Sequence, residues 1–350
     1  MNAFTKEDLK RFQAESLDQK FQRTLAKVGE WYSHWNNEVS VSFSGGKDST
    51  VLSDICARWC KLIDKPLYLV FVNTGLEYPE IQKHVKFFAQ WLRDKYKIEV
   101  HLEILRPKMR FDEVIKTCGY PLISKEVSLA IWYARKGSNW ANNYFMGLDG
   151  KGNPHSFKKA MYSKYKPLTE TDFMCSDKCC RIMKEKPLDD FVKLTGKKPL
   201  VAIMASESKK RETAWLRTGC NAFDGKKPMS KPMSFWTEQD VLQYIKENNI
   251  PIASVYGDIM YEVNHEQMRL TTTGCKRTGC IFCGFGCHLE KEPSRFQRLK
   301  QTHPRQYEYC LGGGEYDENG IWKPNKDGLG MRHVFDEINK IYGEGFIKYE

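Results

Sequence analysis

Hydrophobic positions change period several times along this chain, and each change marks an element. Phe12, Leu17, Phe21, Leu25, Val28, Trp31 and Trp35 recur at helical spacing, so residues 6–35 are expected to form a helical lead-in with Thr5 as N-cap. Residues 39–43 read as a short strand, and after the polar run 44–49 a helix reaches about Leu62. Residues 67–72, behind Pro66, are almost continuously apolar, as in a buried strand. A turn at Asn73, Thr74 and Gly75 leads into a helix from about Tyr78 to Lys95, and residues 98–104 give a third strand. Strands alternating with helices, with apolar strand runs, predict an α/β fold: a parallel sheet with helices on both faces. Residues 199–205 return to that sheet, and Thr237 with Asp240 opens a helix that stops before Pro251.

Between these elements, residues 147–168 carry glycines and lysines but few aliphatics, which predicts a basic loop. Its Lys158, Lys159, Lys164 and Lys166 are interleaved with Phe157, Tyr162 and Tyr165. That pattern suits a nucleic-acid backbone and, equally, a solvated lid over a nucleotide. Beyond Pro251 the chain is short segments rich in cysteine and glycine.

Charge and cysteine content narrow the classes. The 350 residues include 55 Lys and Arg against 44 Asp and Glu, a net charge of +11, which favours polyanionic partners such as nucleotides, sulfates or nucleic acid. No apolar run approaches the ~20 residues of a membrane span, and the acidic, h-region-free start suggests a cytoplasmic protein with no membrane contact. Twelve cysteines in such a chain point to metal binding or catalysis rather than disulfides. Cys56, Cys60 and Cys118 are expected as buried core thiols.

The first chemical motif is Ser44-Gly45-Gly46-Lys47-Asp48-Ser49, followed by Thr50, where a strand meets a helix. Its glycines let the backbone turn so that N–H groups and the helix N-terminus face a phosphate, while Ser44, Ser49 and Thr50 add hydroxyls and Lys47 a charge. Neither the Walker A nor the Rossmann glycine spacing is present. The motif resembles the pyrophosphatase (PP) loop of the adenine nucleotide alpha-hydrolase-like superfamily, whose members cleave ATP between its alpha and beta phosphates or bind adenylyl sulfates there. Residues 72–79, with Asn73, Thr74 and Gly75, are similar to the second signature of the phosphoadenylyl-sulfate (PAPS) reductase-like branch, which usually has Asp where this chain has Asn73. Glu207, Arg211 and Arg217 resemble that branch's basic segment after a late strand, where guanidinium groups suit bidentate phosphate or sulfate contacts; a solvated basic turn is the plainer reading. The resemblance implies ATP as cofactor, Lys47, Asp48, Arg211 and Arg217 as catalytic residues, and Asp48 as a Mg²⁺ contact. It implies Ser44, Gly45, Gly46, Lys47, Asp48, Ser49, Thr50, Asn73, Thr74, Gly75 and Glu207 as nucleotide-binding residues.

The second motif is a set of cysteines: Cys175, Cys179 and Cys180, then Cys275, Cys280, Cys283 and Cys287. Two pairs supply four soft ligands, as a [4Fe–4S] cluster or a structural zinc requires. An adjacent Cys-Cys followed far downstream by C-x-x-C resembles assimilatory adenylyl-sulfate reductases. That resemblance implies that Cys179, Cys180, Cys280 and Cys283 bind [4Fe–4S], with Arg181 and Lys184 beside it; zinc is the alternative.

Two departures separate the chain from those reductases. They carry a catalytic cysteine in a terminal Glu-Cys-Gly-[Ile/Leu]-His, which has no counterpart here, and their phosphate loop usually lacks the Lys-Asp pair that this chain keeps. An intact loop with an iron–sulfur set looks more like adenylating thiolation enzymes, including tRNA thiolases and the ATP pyrophosphatase of DNA phosphorothioation systems. The expected function is therefore cleavage of ATP to AMP and pyrophosphate, activating an acceptor for sulfur transfer. Sulfur would come from the cluster or from a persulfide on Cys175, Cys287 or Cys310, activated by Lys178 or His288. Two readings stay open: a sulfite-forming adenylyl-sulfate or PAPS reductase, and a zinc-stapled nucleic-acid-binding protein without chemistry. Candidate partners are an adenine nucleotide, a nucleic-acid acceptor (DNA or tRNA), a sulfur donor such as a cysteine desulfurase, and a second copy in a homodimer. The expected division is a lead-in at 1–36, a nucleotide-binding α/β domain at 37–235 and a helical, Cys-rich module at 236–350 that completes the metal site.

Overall fold

A computed structural model describes residues 3–149, 151–154, 161–264 and 267–350. Phe157, Lys158 and Lys159 of the basic loop lie outside the described residues. The chain divides into two compact units, each assembled from separate stretches. One comprises Met1–Asn73, Glu77–Arg106 and Pro187–Thr278; the other comprises Thr74–Leu76, Pro107–Lys186 and Gly279–Glu350. The division therefore falls elsewhere than at the expected 235/236 boundary. Helix Glu238–Glu247 is amphipathic and buries Val241, Leu242, Tyr244 and Ile245 in the first unit, although a composition shift begins nearby.

The first unit opens with two helices where one was expected, α1 (Lys6–Gln13) and α2 (Leu17–His34). The break comes from a second capping box: Ser16 accepts from the Gln19 N–H, and the Gln19 side chain accepts from the Ser16 N–H at 3.0 Å. Then follow β1 (Val39–Ser42), α3 (Lys47–Ile63), β2 (Leu67–Val72), α4 (Pro79–Tyr96) and β3 (Val100–Leu105). The sheet order is β3, β2, β1, then Lys198–Val201, Met229–Ser230 and Asn221–Ala222. All pairings are parallel except that of the last edge strand. Val39, Ser40 and Val41 are all buried, as a central strand covered by helices on both faces requires. The strand expected over 199–205 stops at Val201, because the chain then turns: Ile203 N–H donates to Val201 O, and Ala205 N–H to Ser234 O at 2.7 Å.

Polar ties fix the helices around this sheet. Lys20, almost wholly buried, donates to both carboxylate oxygens of Asp240 at 2.8 Å. Asp54 in α3 has no solvent exposure and accepts from Tyr96 Oη (2.6 Å), Tyr244 Oη (2.7 Å), Arg58 Nε (3.1 Å) and Lys95 Nζ (3.3 Å). A buried carboxylate is tolerated only when it is paired and hydrogen-bonded in this way.

The second unit is mostly helical. Two short strands, Leu122–Ile123 and Gly284–Phe285, pair in parallel. Around them lie helices Phe111–Cys118, Lys125–Ala134, Asn139–Phe145, Arg295–Thr302, Pro304–Leu311 and Met331–Tyr342. Tyr120 is buried and donates to Leu329 O at 2.8 Å. Arg135 donates to the carbonyls of Thr171 and Phe173. The last residues are docked: Ile347 and Tyr349 are buried, and the Tyr349 carbonyl accepts from Tyr307 Oη at 2.9 Å.

Candidate functional site

The phosphate loop takes its shape from two glycines. Gly45 lies at φ +73°, and a Cβ there would come within 2.8 Å of a Val85 methyl and 2.9 Å of an Ile81 methyl, so α4 packs directly against the loop. Gly46 is the N-cap of α3 and brings no capping side chain, which leaves the first N–H groups of the helix to a ligand or to neighbours. Ser49 Oγ accepts from the Ser44 N–H and donates to Gly46 O, closing the turn. Thr50 Oγ1 pairs with His84 Nε2 at 3.2 Å, and burial pushes that imidazole down to about 4.

Lys47 and Asp48 start the helix in opposite situations. The Lys47 ammonium is buried, donates to Lys276 O at 2.9 Å and stands 3.1 Å from Glu238 Oε1. Asp48 Oδ1 is sealed from solvent and has no hydrogen-bond partner among the described residues. Burial raises the Asp48 carboxyl against the pull of Lys47; Glu238 adds to the rise, and Arg277 and Arg211 oppose it.

Arg211 sits in the first turn of helix Lys209–Thr218 and pairs with Glu207, to which Arg277 also reaches at 3.6 Å. Burial, then the neighbouring Arg277 charge, pulls the Arg211 guanidinium below its usual range. Arg217 is not part of this group. Six residues further on, it is about 9 Å along the axis and on another side of the helix. It is exposed, and its charge is felt by Lys231. Asn73 follows β2 and its N–H donates to Leu105 O, while Thr74 Oγ1 accepts from the Leu76 N–H in the second unit. Sequence reasoning missed Glu238, Tyr256, Lys276, Arg277 and Thr278. The basic doublet just before Cys280 was the one signal available for Arg277.

The second unit brings four of the cysteines together. Cys179 and Cys180 end a single α-turn, Lys178–Cys180, which runs into a π-helical turn, Arg181–Glu185. The Cys179 thiol donates to Cys180, which with burial and the nearby Cys283 and Cys280 raises Cys179. The same bond, with Lys125 and Lys184, lowers Cys180. Lys184 thus lies near Cys180, together with Lys125, which sequence reasoning did not single out, and Arg181 pairs with Glu185 at 3.6 Å. Arg295, held by Glu290, donates to Cys283 O at 2.8 Å. Among the described residues, no three His, Cys, Asp or Glu gather so as to hold a metal ion. The four thiols are soft donors within electrostatic reach of Cys179, with the Lys125 and Lys184 ammonium groups near Cys180.

The candidate sulfur carriers fare differently. Cys175, Cys287 and Cys310 are buried, and burial pushes the first two thiols up to about 12 and the Cys310 thiol well above its ordinary value. They are therefore poor nucleophiles as they stand. Of the expected activators, Lys178 Nζ lies over the Tyr133 ring and the His288 ring stacks on Phe346. Cys275, in the first unit, donates its thiol to Arg277 O at 2.7 Å. Cys56 and Cys60 are core thiols, as expected, and Cys118 is half-buried.

A parallel α/β sheet whose central strand feeds a Ser-Gly-Gly-Lys-Asp-Ser turn at a helix N-terminus defines a PP-loop protein. The family model for the phosphoadenosine phosphosulfate reductase domain matches residues 38–124 and 146–284, and the chain belongs to that family. A stretch of 107 residues, 31% of the chain, is 36% identical to an uncharacterised protein of Methanocaldococcus jannaschii, of whose length it spans 23%. Among solved structures, the NH3-dependent NAD synthetase of Campylobacter jejuni in complex with nitrate is 12% identical, with 67% of this chain and 75% of that one covered and a TM-score of 0.33. The NMN synthetase of Francisella tularensis is 10% identical, with 68% and 72% covered and a TM-score of 0.32. No helix of the described residues is long and apolar enough to cross a membrane.

Proposed function

We propose that the protein is an ATP pyrophosphatase and sulfurtransferase that cleaves ATP to AMP and pyrophosphate and so activates an acceptor for sulfur. The observation that carries this reading is the intact Lys47–Asp48 pair, with a buried Asp48 oxygen that has no hydrogen-bond partner among the described residues beside a buried ammonium. A hard cation such as Mg²⁺ suits that oxygen. The N–H groups at the start of α3 would take phosphate oxygens, and Lys47 would offset the charge that builds on departing pyrophosphate. Arg211 offers a further positive group near Asp48.

Cys179, Cys180, Cys280 and Cys283 would hold a [4Fe–4S] cluster as thiolates, with Lys125 and Lys184 offsetting their charge. When bound, that cluster would supply a thiophilic site for a sulfur species. The acceptor on this reading is a nucleic acid, DNA or tRNA, and a donor such as a cysteine desulfurase would deliver the sulfur to a homodimer.

The test is anaerobic purification followed by iron, zinc and sulfide analysis, and by titration with ATP and with adenylyl sulfate side by side. Iron with sulfide, tight ATP binding and AMP formation are expected, and Cys179→Ser or Cys283→Ser should abolish the iron. Tight adenylyl sulfate with feeble ATP binding would overturn the reading in favour of a reductase. Zinc without iron or ATP turnover would leave a zinc-stapled binding protein.

A further inference from the structure

A segment outside every recognised motif lies against the phosphate loop. Lys276, Arg277 and Thr278 each contribute a different group. The Lys276 carbonyl accepts from Lys47 Nζ at 2.9 Å. Thr278 Oγ1 is 2.6 Å from Tyr256 Oη, which in turn accepts from the Lys47 N–H at 3.2 Å. The Arg277 guanidinium reaches the Glu207 carboxylate that Arg211 already holds. A Cβ on Gly46 would lie 3.4 Å from Tyr256 Oη and 3.5 Å from Thr278 Oγ1, so little space separates segment and loop.

Around the loop, Lys47, Arg211 and Arg277 face Asp48, Glu207 and Glu238. The two glutamates are not equivalent. Glu207 is mostly buried and is held by both arginines and by the Met204 N–H. Glu238 has half of its side chain in solvent, and Lys47 is the ion-pair partner it shows. An oxygen anion 3.1 Å from a phosphate-loop ammonium takes up one of the few donor directions from which that ammonium can reach a phosphate oxygen. Two anions cannot share that ammonium without repulsion, and the half-exposed glutamate is the one that can withdraw into water at small cost. Arg277, for its part, shares one carboxylate with a second guanidinium and keeps most of its side chain exposed, so its charge is only partly met.

We propose that Glu238 is a built-in stand-in for phosphate, pairing with Lys47 until a polyphosphate displaces it, and that Arg277 is a further anion-binding residue of the same site. This rests on the nucleotide reading of the loop. Glu238 then works against ligand affinity, whereas Arg277 works for it.

The test is calorimetric titration of the full chain, wild type and Glu238→Gln, Arg277→Gln and Arg277→Lys variants, with Mg·ATP and separately with pyrophosphate. Glu238→Gln should bind both ligands roughly two- to fivefold more tightly, the size of a lost exposed ion pair. Damage to the fold does not raise affinity, so a gain is the signature of a removed competitor. Arg277→Gln should bind roughly tenfold more weakly, with Arg277→Lys between it and the wild type. Unchanged or weaker binding by Glu238→Gln would overturn the stand-in, and binding within twofold of wild type by Arg277→Gln would overturn the anion role. Should Arg277→Gln not fold, Arg277→Lys with undiminished affinity for both ligands would overturn that role instead. Wild-type protein that binds neither ligand would sink the nucleotide reading and this proposal together; wild-type binding with flat variants would sink this proposal alone.

Discussion

Replacing Gly45 by alanine tests whether the loop is shaped by backbone geometry. Gly45 sits at φ +73°, and holding a non-glycine residue there costs about 1–2 kcal/mol. The added Cβ would also meet Val85 Cγ2 at 2.8 Å and Ile81 Cγ2 at 2.9 Å. Carbon atoms normally approach to about 3.5–4.0 Å, and both side chains are buried in α4 and cannot swing away. Overpacking of that kind adds about 1–3 kcal/mol. The sum is about 2–5 kcal/mol, which at about 2–4 °C per kcal/mol lowers the melting temperature by roughly 4–20 °C. Relief must come from α4 moving away or from the loop turning its N–H groups, so ATP affinity should fall more than about tenfold. Gly75→Ala supplies the control: its φ is +76°, but an added Cβ would meet nothing within 4 Å. That change carries conformational strain alone, about 1–2 kcal/mol. Differential scanning calorimetry of both variants, with ATP titration of Gly45→Ala, makes the comparison. A Gly45→Ala protein no less stable than Gly75→Ala, or one binding ATP within twofold of wild type, would refute the reasoning.

Acid sensitivity should trace in part to His84. Its imidazole titrates at about 4 when folded against 6.5 when unfolded, so the unfolded chain binds the extra proton between those values. Stability is then full above about pH 6.5 and falls as pH drops toward 4, by roughly 2–3 kcal/mol near pH 4.5. Urea midpoints of wild type and His84→Gln at neutral and acid pH should differ in slope with pH, and parallel losses would refute the assignment. Breaking the buried Lys20–Asp240 pair by Lys20→Met should cost about 3–5 kcal/mol, because Asp240 keeps its charge inside with, among the described residues, only the Thr237 contacts left. Adding Asp240→Asn should restore part of the loss, and a single variant within about 1 kcal/mol of wild type would contradict this account.

What could be read from sequence was local. The phosphate loop is six consecutive residues whose chemistry follows from their order, and the alternation of apolar strands with helices announced the sheet. The four cysteines were grouped through their resemblance to the adenylyl-sulfate reductase pattern, and the structure brings them into electrostatic reach. The break between α1 and α2 was in principle visible in Ser16 and Gln19, but an unbroken helical period masked it. Contacts over long separations were not legible: Glu238, Tyr256 and Arg277 lie about two hundred residues or more from the loop. Arg217 was grouped with Arg211 because both lie on one basic segment, although helical geometry sends them to different sides. Burial of Cys175, Cys287 and Cys310 is likewise a property of packing that a spacing pattern does not carry.

The buried Asp54 has a thermodynamic consequence for binding. It ties the middle of α3 to the C-terminal end of α4 through Tyr96 and Lys95, and to helix Glu238–Glu247 through Tyr244. The helix that presents the phosphate loop is thereby fixed during folding, together with the helix that carries Glu238. The conformational entropy of ordering that surface is spent before any ligand arrives, so association draws on a preformed cradle. Recognition should then carry the small heat-capacity change of a rigid encounter, and the adjustment it demands is confined to one glutamate side chain.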